Sequence, residues 1–208
     1  MLKTEAVALS TLELLRSLQE KEYMAGFNLV GGTALSLYWG HRTSIDIDLF
    51  SSFSFDASAL LEKIQQDYQF QLFLTADNTL KGSINNVKVD ILAHRYPELN
   101  TPSEEDGIRL LSLPDIIAMK LNAVSTSGQR SKDFVDVYYA LQKYEMSSLI
   151  SFYKEKYGQE NETHVIKSLI YFDEVDLSDW PRLLHDKKLT WPHIKNFIET
   201  KVLDYAKK

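Results

Sequence analysis

The hydrophobic pattern of this chain changes near residues 105–112, and that change constrains the fold more than any other feature. Before it, short apolar runs with period-two alternation are separated by turn residues, which indicates strands. After it, apolar residues recur at helical spacing. We therefore predict an α+β fold, in which a small mixed sheet with flanking helices is followed by a helical bundle. The predicted domains cover residues 1–107 and 108–208.

Three antiparallel strands are predicted before the change, because two turn signals, Ala76-Asp77-Asn78 and Asn85-Asn86, divide one apolar stretch. These strands cover residues 69–75, 79–84 and 87–93. Helices are predicted at 5–22, 55–68, 131–144, 147–157, 162–172 and 191–206. Asp56 is expected to cap the second of them, and Ser112 with Asp115 forms a capping-box-like start for a further helix.

Composition excludes some classes of protein. The chain has 208 residues, no cysteine and a net charge of −6, so disulfides and cysteine-bound metals are ruled out. No apolar run of about 18 residues predicts a membrane span, and the N-terminus has the pattern of an amphipathic helix instead of a signal peptide. We expect a cytoplasmic protein without membrane contact. The negative charge argues against a large non-specific nucleic-acid surface.

A glycine pair follows the apolar run Phe27–Val30, which we interpret as a short buried strand. Gly31-Gly32 then opens a predicted helix over residues 33–38, with Thr33 near its N-cap and Gly40 at its end. Such a turn exposes backbone N–H groups at a helix N-terminus, an arrangement that suits phosphate. The pair alone is a weak signal, because glycines commonly make turns.

Two aspartates then alternate with apolar residues in a predicted strand from Ile45 to Phe50. Ile45, Ile47 and Leu49 are expected to face the core, so Asp46 and Asp48 share the other face. Two such close carboxylates repel each other, and a divalent cation is the simplest compensation. A solvated strand face is the competing interpretation.

A third carboxylate, Asp90, lies in the predicted strand 87–93. It is a candidate to hold a second metal or to activate the attacking hydroxyl. A phosphate turn and carboxylates on neighbouring strands are the parts that metal-assisted phosphoryl or nucleotidyl transfer needs.

These residues resemble a known family. Gly31-Gly32, thirteen intervening residues, Asp46-x-Asp48 and the later Asp90 resemble the DNA polymerase beta-like nucleotidyltransferases. The longer string GGTALSLYWGHRTSIDIDLF is similar to AbiEii/AbiGii-type nucleotidyltransferase toxins. The segments LPDIIAMKLNAV and RSKDFVDVYYAL are similar to the second signature of that family.

The resemblance implies an enzyme that moves a nucleotidyl group from an NTP to an acceptor hydroxyl, with Mg²⁺ or Mn²⁺ on Asp46 and Asp48, to which Asp90 is added as the third candidate metal ligand. It implies a catalytic or orienting role for Asp133. Some members of the family are toxins of toxin–antitoxin or phage-defence systems, and some transfer nucleotides to RNA. The resemblance therefore also implies an RNA acceptor and a cognate antitoxin. The expected nucleotide- and phosphate-binding residues are Gly31, Gly32, Thr33, Ser36, Lys120, Arg130 and Lys132.

One departure from the family pattern lies in the loop between the two signature helices. Ser127 precedes Gly128 where the family usually has arginine, and Arg130 is the nearest cation that supplies a replacement charge. This departure keeps open the hypothesis of a catalytically impaired binding protein with the same fold. A small-molecule nucleotidyltransferase of the antibiotic-modifying kind is a further hypothesis, because the acidic charge fits a cationic acceptor weakly and RNA poorly.

Two charged residues outside the proposed site also receive predictions. Arg42 is expected to be a structural partner of the acidic pair Asp46 and Asp48. Asp136, in an early turn of its helix, is expected to be an acid that favours the helix dipole.

Overall fold

The structure is a computed structural model that describes residues 1–207. Within this range the strands are β1 (Asn28–Leu29), β2 (Ile47–Ser51), β3 (Phe70–Ala76), β4 (Thr79–Ile84), β5 (Val87–Ala93), β6 (Ser103–Glu105) and β7 (Ile108–Leu110). The helices are α1 (Leu9–Gln19), α2 (Gly31–Trp39), α3 (Ala57–Asp67), α4 (Leu113–Thr126), α5 (Ser131–Lys143), α6 (Met146–Tyr157), α7 (Thr163–Leu169) and α8 (Trp191–Ala206). The predicted α+β class, a mixed sheet followed by a helical bundle, is confirmed.

One mixed sheet holds all seven strands, in the order β3-β4-β5-β2-β1-β7-β6. The antiparallel meander of β3, β4 and β5 matches the sequence prediction. At the centre, β2 runs parallel to β5 and antiparallel to β1. The register sets Asp48 directly opposite Asp90. The central strands therefore bring together two residues that are far apart in the sequence.

Two buried clusters divide the apolar residues of the molecule. The first runs from Leu2 to Ile116 and packs around the sheet, and the second runs from Ile117 to Val202 and lies among the helices. Helix α4 contributes to both clusters and so joins the two halves. Strand β7 follows the predicted domain boundary at residue 107, yet it pairs with β1 inside the sheet. The helical part of the molecule thus begins with α4.

Local signals at the helix ends were accurate. Asp56 accepts hydrogen bonds from the N–H groups of Ser58 and Ala59, and Ser112 accepts one from Asp115. Gly40 ends α2 with φ of +65°, a left-handed conformation that glycine adopts without steric cost. Helix α2 begins two residues earlier than predicted, with Val30 at the N-cap, so Thr33 lies inside its first turn.

The prediction for Ile45 was wrong. Its side chain is 67% exposed, and β2 begins only at Ile47. The preceding segment bonds elsewhere: the Thr43 N–H donates to the Arg182 carbonyl and the Ser44 N–H to the Ala6 carbonyl. Because these bonds pull residues 43–44 away from the sheet, the alternation of β2 does not extend back to Ile45.

None of the helices within residues 1–207 has the length and apolar character that crossing a membrane requires.

Candidate active site

A cavity of about 500 Å³ lies between the central strands and helices α4, α5 and α6. It brings together groups from both halves of the chain. The sequence-predicted residues that line it are Gly31, Gly32, Asp46, Asp48, Lys120, Arg130, Lys132 and Asp133. Most of the predicted site residues therefore share one space.

The glycine turn forms one wall of this cavity. Gly31 has φ of +69°, and a Cβ atom there would collide with the Asp48 carboxylate. A Cβ atom on Gly32 would collide with the guanidinium of Arg42. The Val30 N–H donates to the Asp48 carbonyl oxygen over 2.9 Å. Glycine is thus needed at both positions, because charged groups approach the start of α2 closely.

Asp48 and Asp90 form the acidic centre of the site. The pKa of Asp48 is raised to about 6, mainly by burial and next by the charge of Asp90. Asp90 is buried, and its Oδ2 accepts a hydrogen bond from Lys88 Nζ over 3.0 Å. Lys81 Nζ lies 3.5 Å from the same oxygen. Asp90 Oδ1 is buried and has no hydrogen-bond partner among the described residues.

Asp46 has a different position from the one that strand alternation predicted. It lies just before β2, partly buried, and lines the same cavity. Its charge contributes less to the raised pKa of Asp48 than the charge of Asp90 does. The carboxylate that raises the pKa of Asp48 most is therefore that of Asp90, which the parallel pairing of β2 and β5 sets beside it.

These carboxylates fit a divalent cation. Within residues 1–207 no group of three or more His, Cys, Asp or Glu side chains is arranged to hold a metal ion. Mg²⁺, however, commonly takes one or two protein carboxylates and completes its shell with water and substrate phosphates. Asp48 and the unpartnered Oδ1 of Asp90 supply such a donor pair beside a turn that suits phosphate.

Behind the cavity lies a buried ionic cluster, which we call the Asp136 cluster: His41, Arg42, Lys120, Asp133 and Asp136. The Arg42 guanidinium donates to both carboxylate oxygens of Asp136, over 2.7 and 2.8 Å. Lys120 Nζ lies 2.7 Å from Asp133 Oδ1 and 3.0 Å from Asp136 Oδ2. Although burial alone would raise it, Arg42 and Lys120 hold the pKa of Asp136 well below its ordinary value.

Two predictions are corrected by this cluster. Arg42 pairs with Asp136 and not with Asp46 or Asp48, because its side chain passes under Gly32 toward α5. Asp136 is fully buried, so it is an ion-pair partner and not an acid on a solvated helix turn. The i, i+3 spacing of Asp133 and Asp136 would have indicated that both acids share one helix face.

The predicted phosphate-binding residues separate into two groups. Arg130 and Lys132, at the start of α5, line the cavity, and burial followed by the charge of Arg130 lowers the pKa of Lys132. Thr33 and Ser36 are fully buried and do not line it. The Thr33 hydroxyl donates to the Asp46 carbonyl oxygen, and its oxygen lies 2.8 Å from Ser44 Oγ. Thr33 therefore fixes the backbone before β2.

Comparison with known proteins agrees with this geometry. The family model for the nucleotidyl transferase AbiEii toxin of type IV toxin–antitoxin systems matches residues 13–70 and 67–200. The chain belongs to this family. It is thus a nucleotidyltransferase of the AbiEii toxin family. An uncharacterised protein from Aquifex aeolicus (strain VF5) is 29% identical over 185 residues, which are 86% of this chain and 87% of that protein.

Solved structures show the same fold. The protein JHP933 from Helicobacter pylori aligns with a TM-score of 0.53 at 18% identity, over 100% of this chain and 96% of that one. The nucleotidyltransferase toxin MenT4 from Mycobacterium tuberculosis H37Rv aligns with a TM-score of 0.60 at 11% identity, over 93% of this chain and 80% of that one. At these identities the likeness concerns the fold.

Proposed function

We propose that this AbiEii family member transfers a nucleoside monophosphate from an NTP to an acceptor hydroxyl in a reaction that depends on a divalent metal. One observation carries the proposal: Asp48 lines the cavity that the Gly31-Gly32 turn opens into, and Asp90, which lies opposite Asp48 in the register and does not itself line the cavity, keeps a buried oxygen without a partner among the described residues. Mg²⁺ or Mn²⁺ held by Asp46, Asp48 and Asp90 would stabilise the negative charge that develops on the phosphoryl oxygens.

The chain's own residues have separate tasks in this reaction. The backbone N–H groups at the Gly31-Gly32 turn, together with Arg130 and Lys132, bind the triphosphate. The acceptor oxygen forms a bond to the α-phosphorus, the bond from that phosphorus to the bridging oxygen breaks, and pyrophosphate leaves. The hydroxyl proton passes to the carboxylate of Asp90, which lies beside Asp48.

Lys120 and Asp133 act at the border of the cavity. Lys120 Nζ is already engaged by two carboxylates, so its charge is largely balanced before a ligand arrives. We propose that Asp133 orients Lys120, which presents its remaining hydrogen-bonding capacity to the triphosphate. The described residues provide no carboxylate at ion-pair distance from Lys132. In this arrangement the charge of Lys132 is therefore more available to the triphosphate than the charge of Lys120.

Substitution of Asp48 by asparagine tests the proposal. Asp48→Asn should lower NTP turnover by about 10²-fold or more, because a carboxylate placed at developing charge cannot be replaced by a neutral amide. The measurement is release of pyrophosphate from each NTP in the presence of Mg²⁺ and total RNA. Asp77→Asn, on an exposed turn, is the control and should retain full turnover. Wild-type turnover by Asp48→Asn would refute the site assignment.

We further propose an RNA acceptor, a cognate antitoxin and a cytoplasmic location. Family membership supports the antitoxin, since the family is described by its type IV toxin–antitoxin systems. Incubation with labelled NTPs and total RNA, followed by electrophoresis, identifies the labelled species. If RNA remains unlabelled while a small molecule is labelled, the RNA acceptor is refuted and the small-molecule hypothesis replaces it.

A further inference from the structure

The cavity has a second end, which the assigned residues do not use. Phe50 and Leu92 face each other in the register of β2 and β5, two residues beyond Asp48 and Asp90. Side chains two apart on a strand share a face. Along β2 the floor of the cavity therefore changes from the carboxylate of Asp48 to the apolar Phe50 within two residues, and Leu92 lines the cavity beside Phe50.

Two further aromatic side chains pack beside Phe50 and continue its apolar surface. His94, just after β5, has its ring centroid 5.8 Å from that of Phe50. Tyr157, the last residue of α6, places its hydroxyl 3.3 Å from His94 Nε2. Burial, and then the charge of Lys156, lowers the pKa of His94 to about 4, so the ring is neutral near physiological pH. We call Phe50, His94 and Tyr157 the aromatic wall.

A lysine stands beside the wall. Lys81 on β4 lies opposite Asp90 in the register and lines the cavity. Lys88 contacts the same carboxylate oxygen from β5 but does not line the cavity. The two lysines thus share one partner, and they differ in access to a ligand.

The order of the strands determines how far this end of the cavity lies from the glycine turn. From β1 to β2, β5 and β4, the sheet presents Gly31 at the end of β1, then Asp48, Asp90 and Lys81. With strands spaced by about 4.8 Å, Lys81 lies three strands, or roughly 14 Å, from the glycine turn. The acidic pair lies between them.

In phosphoryl transfer the attacking and leaving oxygens lie roughly in line on opposite sides of the phosphorus. If pyrophosphate leaves on the side of the glycine turn, the acceptor must approach from the side of Lys81 and the aromatic wall. On that side the described residues offer flat rings and a cation, and the one carboxylate, Asp90, is already paired with lysine. This chemistry matches a nucleobase and a phosphate and opposes a cationic acceptor.

We propose that Lys81 and the aromatic wall form the acceptor subsite, which takes the terminal nucleotide of a single-stranded nucleic acid. The base stacks on the wall, and Lys81 contacts a phosphate of the same strand. The inference rests on the proposed function, since it assumes that the glycine turn receives the leaving pyrophosphate.

Paired variants of the full chain test the subsite. The ligands are a short fluorescein-labelled single-stranded RNA of mixed sequence, followed by anisotropy, and an NTP with Ca²⁺, followed by calorimetry. Tyr157→Leu should weaken RNA binding by about tenfold, because stacking contributes about 1–3 kcal/mol per base, whereas Tyr157→Phe, which keeps the ring, should bind within about twofold of wild type. Lys81→Met should also weaken RNA binding, and its matched control Lys88→Met should not.

NTP affinity separates this inference from the proposed function. All four variants should bind the NTP within about twofold of the wild-type value. In turnover Tyr157→Leu and Lys81→Met should raise the KM for RNA and not for the NTP, and the two controls should change neither. Variants that weaken NTP binding and leave RNA binding unchanged would overturn the acceptor subsite, while loss of turnover in Asp48→Asn would still support the proposed function. Failure of wild type to bind the RNA would also overturn it. Thermal unfolding confirms that each variant folds.

Discussion

The Asp136 cluster and the Asp48–Asp90 pair both hold acids that are at least partly withdrawn from solvent, but they differ in how their charge is balanced. In the cluster, each oxygen of Asp136 has a cationic partner, and Arg42 binds in the bidentate geometry that favours strong pairing. In the pair, Asp90 keeps an oxygen without a partner, and Asp48 has a pKa raised to about 6. A balanced cluster stabilises the fold by itself, whereas an unbalanced pair is prepared for a ligand.

The largest effect should come from breaking the balanced cluster. Asp136→Asn leaves Arg42 and Lys120 buried without their shared carboxylate, so we expect a loss of about 3–5 kcal/mol in the free energy of unfolding. Urea denaturation measures this loss. The exposed Asp204→Asn is the control and should change stability by about 0.5 kcal/mol or less. A similar small change in Asp136→Asn would show that the cluster does not hold α5 to α2.

A smaller effect should come from the pH dependence of the unbalanced pair. The folded-state pKa of Asp48 is raised to about 6 from its ordinary value of 3.8, so the native state binds more protons than the unfolded state between those values. The contribution of Asp48 to stability is therefore present below about pH 4 and decreases as the pH rises to about 6, by roughly 2 kcal/mol in total.

Comparison of wild type with Asp48→Asn over this pH range measures that contribution, because the variant lacks the titrating group. Millimolar Mg²⁺ should remove most of the pH-dependent loss, since a cation at the carboxylates favours their charged forms. Parallel pH profiles for the two proteins without Mg²⁺ would contradict the raised pKa.

The smallest effect should come from the edge of the balanced cluster. Asp133→Asn removes one partner of Lys120, but Asp136 continues to neutralise that lysine, so we expect a loss of only about 1 kcal/mol in stability. NTP turnover should fall clearly even though the free energy of unfolding changes little, because Asp133 lines the cavity and orients Lys120. Urea denaturation together with NTP turnover separates the two effects. A loss as large as that of Asp136→Asn would place Asp133 among the fold-determining residues.

Local patterns predicted most of the elements. Strands 79–84 and 87–93 and helix 191–206 have the bounds that the sequence predicted, because period-two and helical spacing are properties of short segments. The caps at Asp56 and Ser112 depend on bonds to residues two or three positions away, so they could also be predicted.

The candidate site was predicted less completely. The glycine turn, Asp48 and Asp90 could be named from spacing and family resemblance, and all belong to one region of the structure. The burial of Asp136 could not, since its partner Arg42 is 94 positions away in the sequence. Thr33 and Ser36 looked suited to phosphate because of their type, but the way α2 packs turns both into the interior.

The sequence by itself determined the class of the fold, the order of its elements and the family, because each of these follows from local periodicity or from a motif of fixed spacing. Only the tertiary structure decided which charges compensate one another. The parallel pairing of β2 with β5 sets Asp90, not Asp46, directly beside Asp48, and the packing of α5 against α2 gives Arg42 to Asp136. Electrostatic balance depends on distances through space, and those are fixed only when the sheet and the helices pack together.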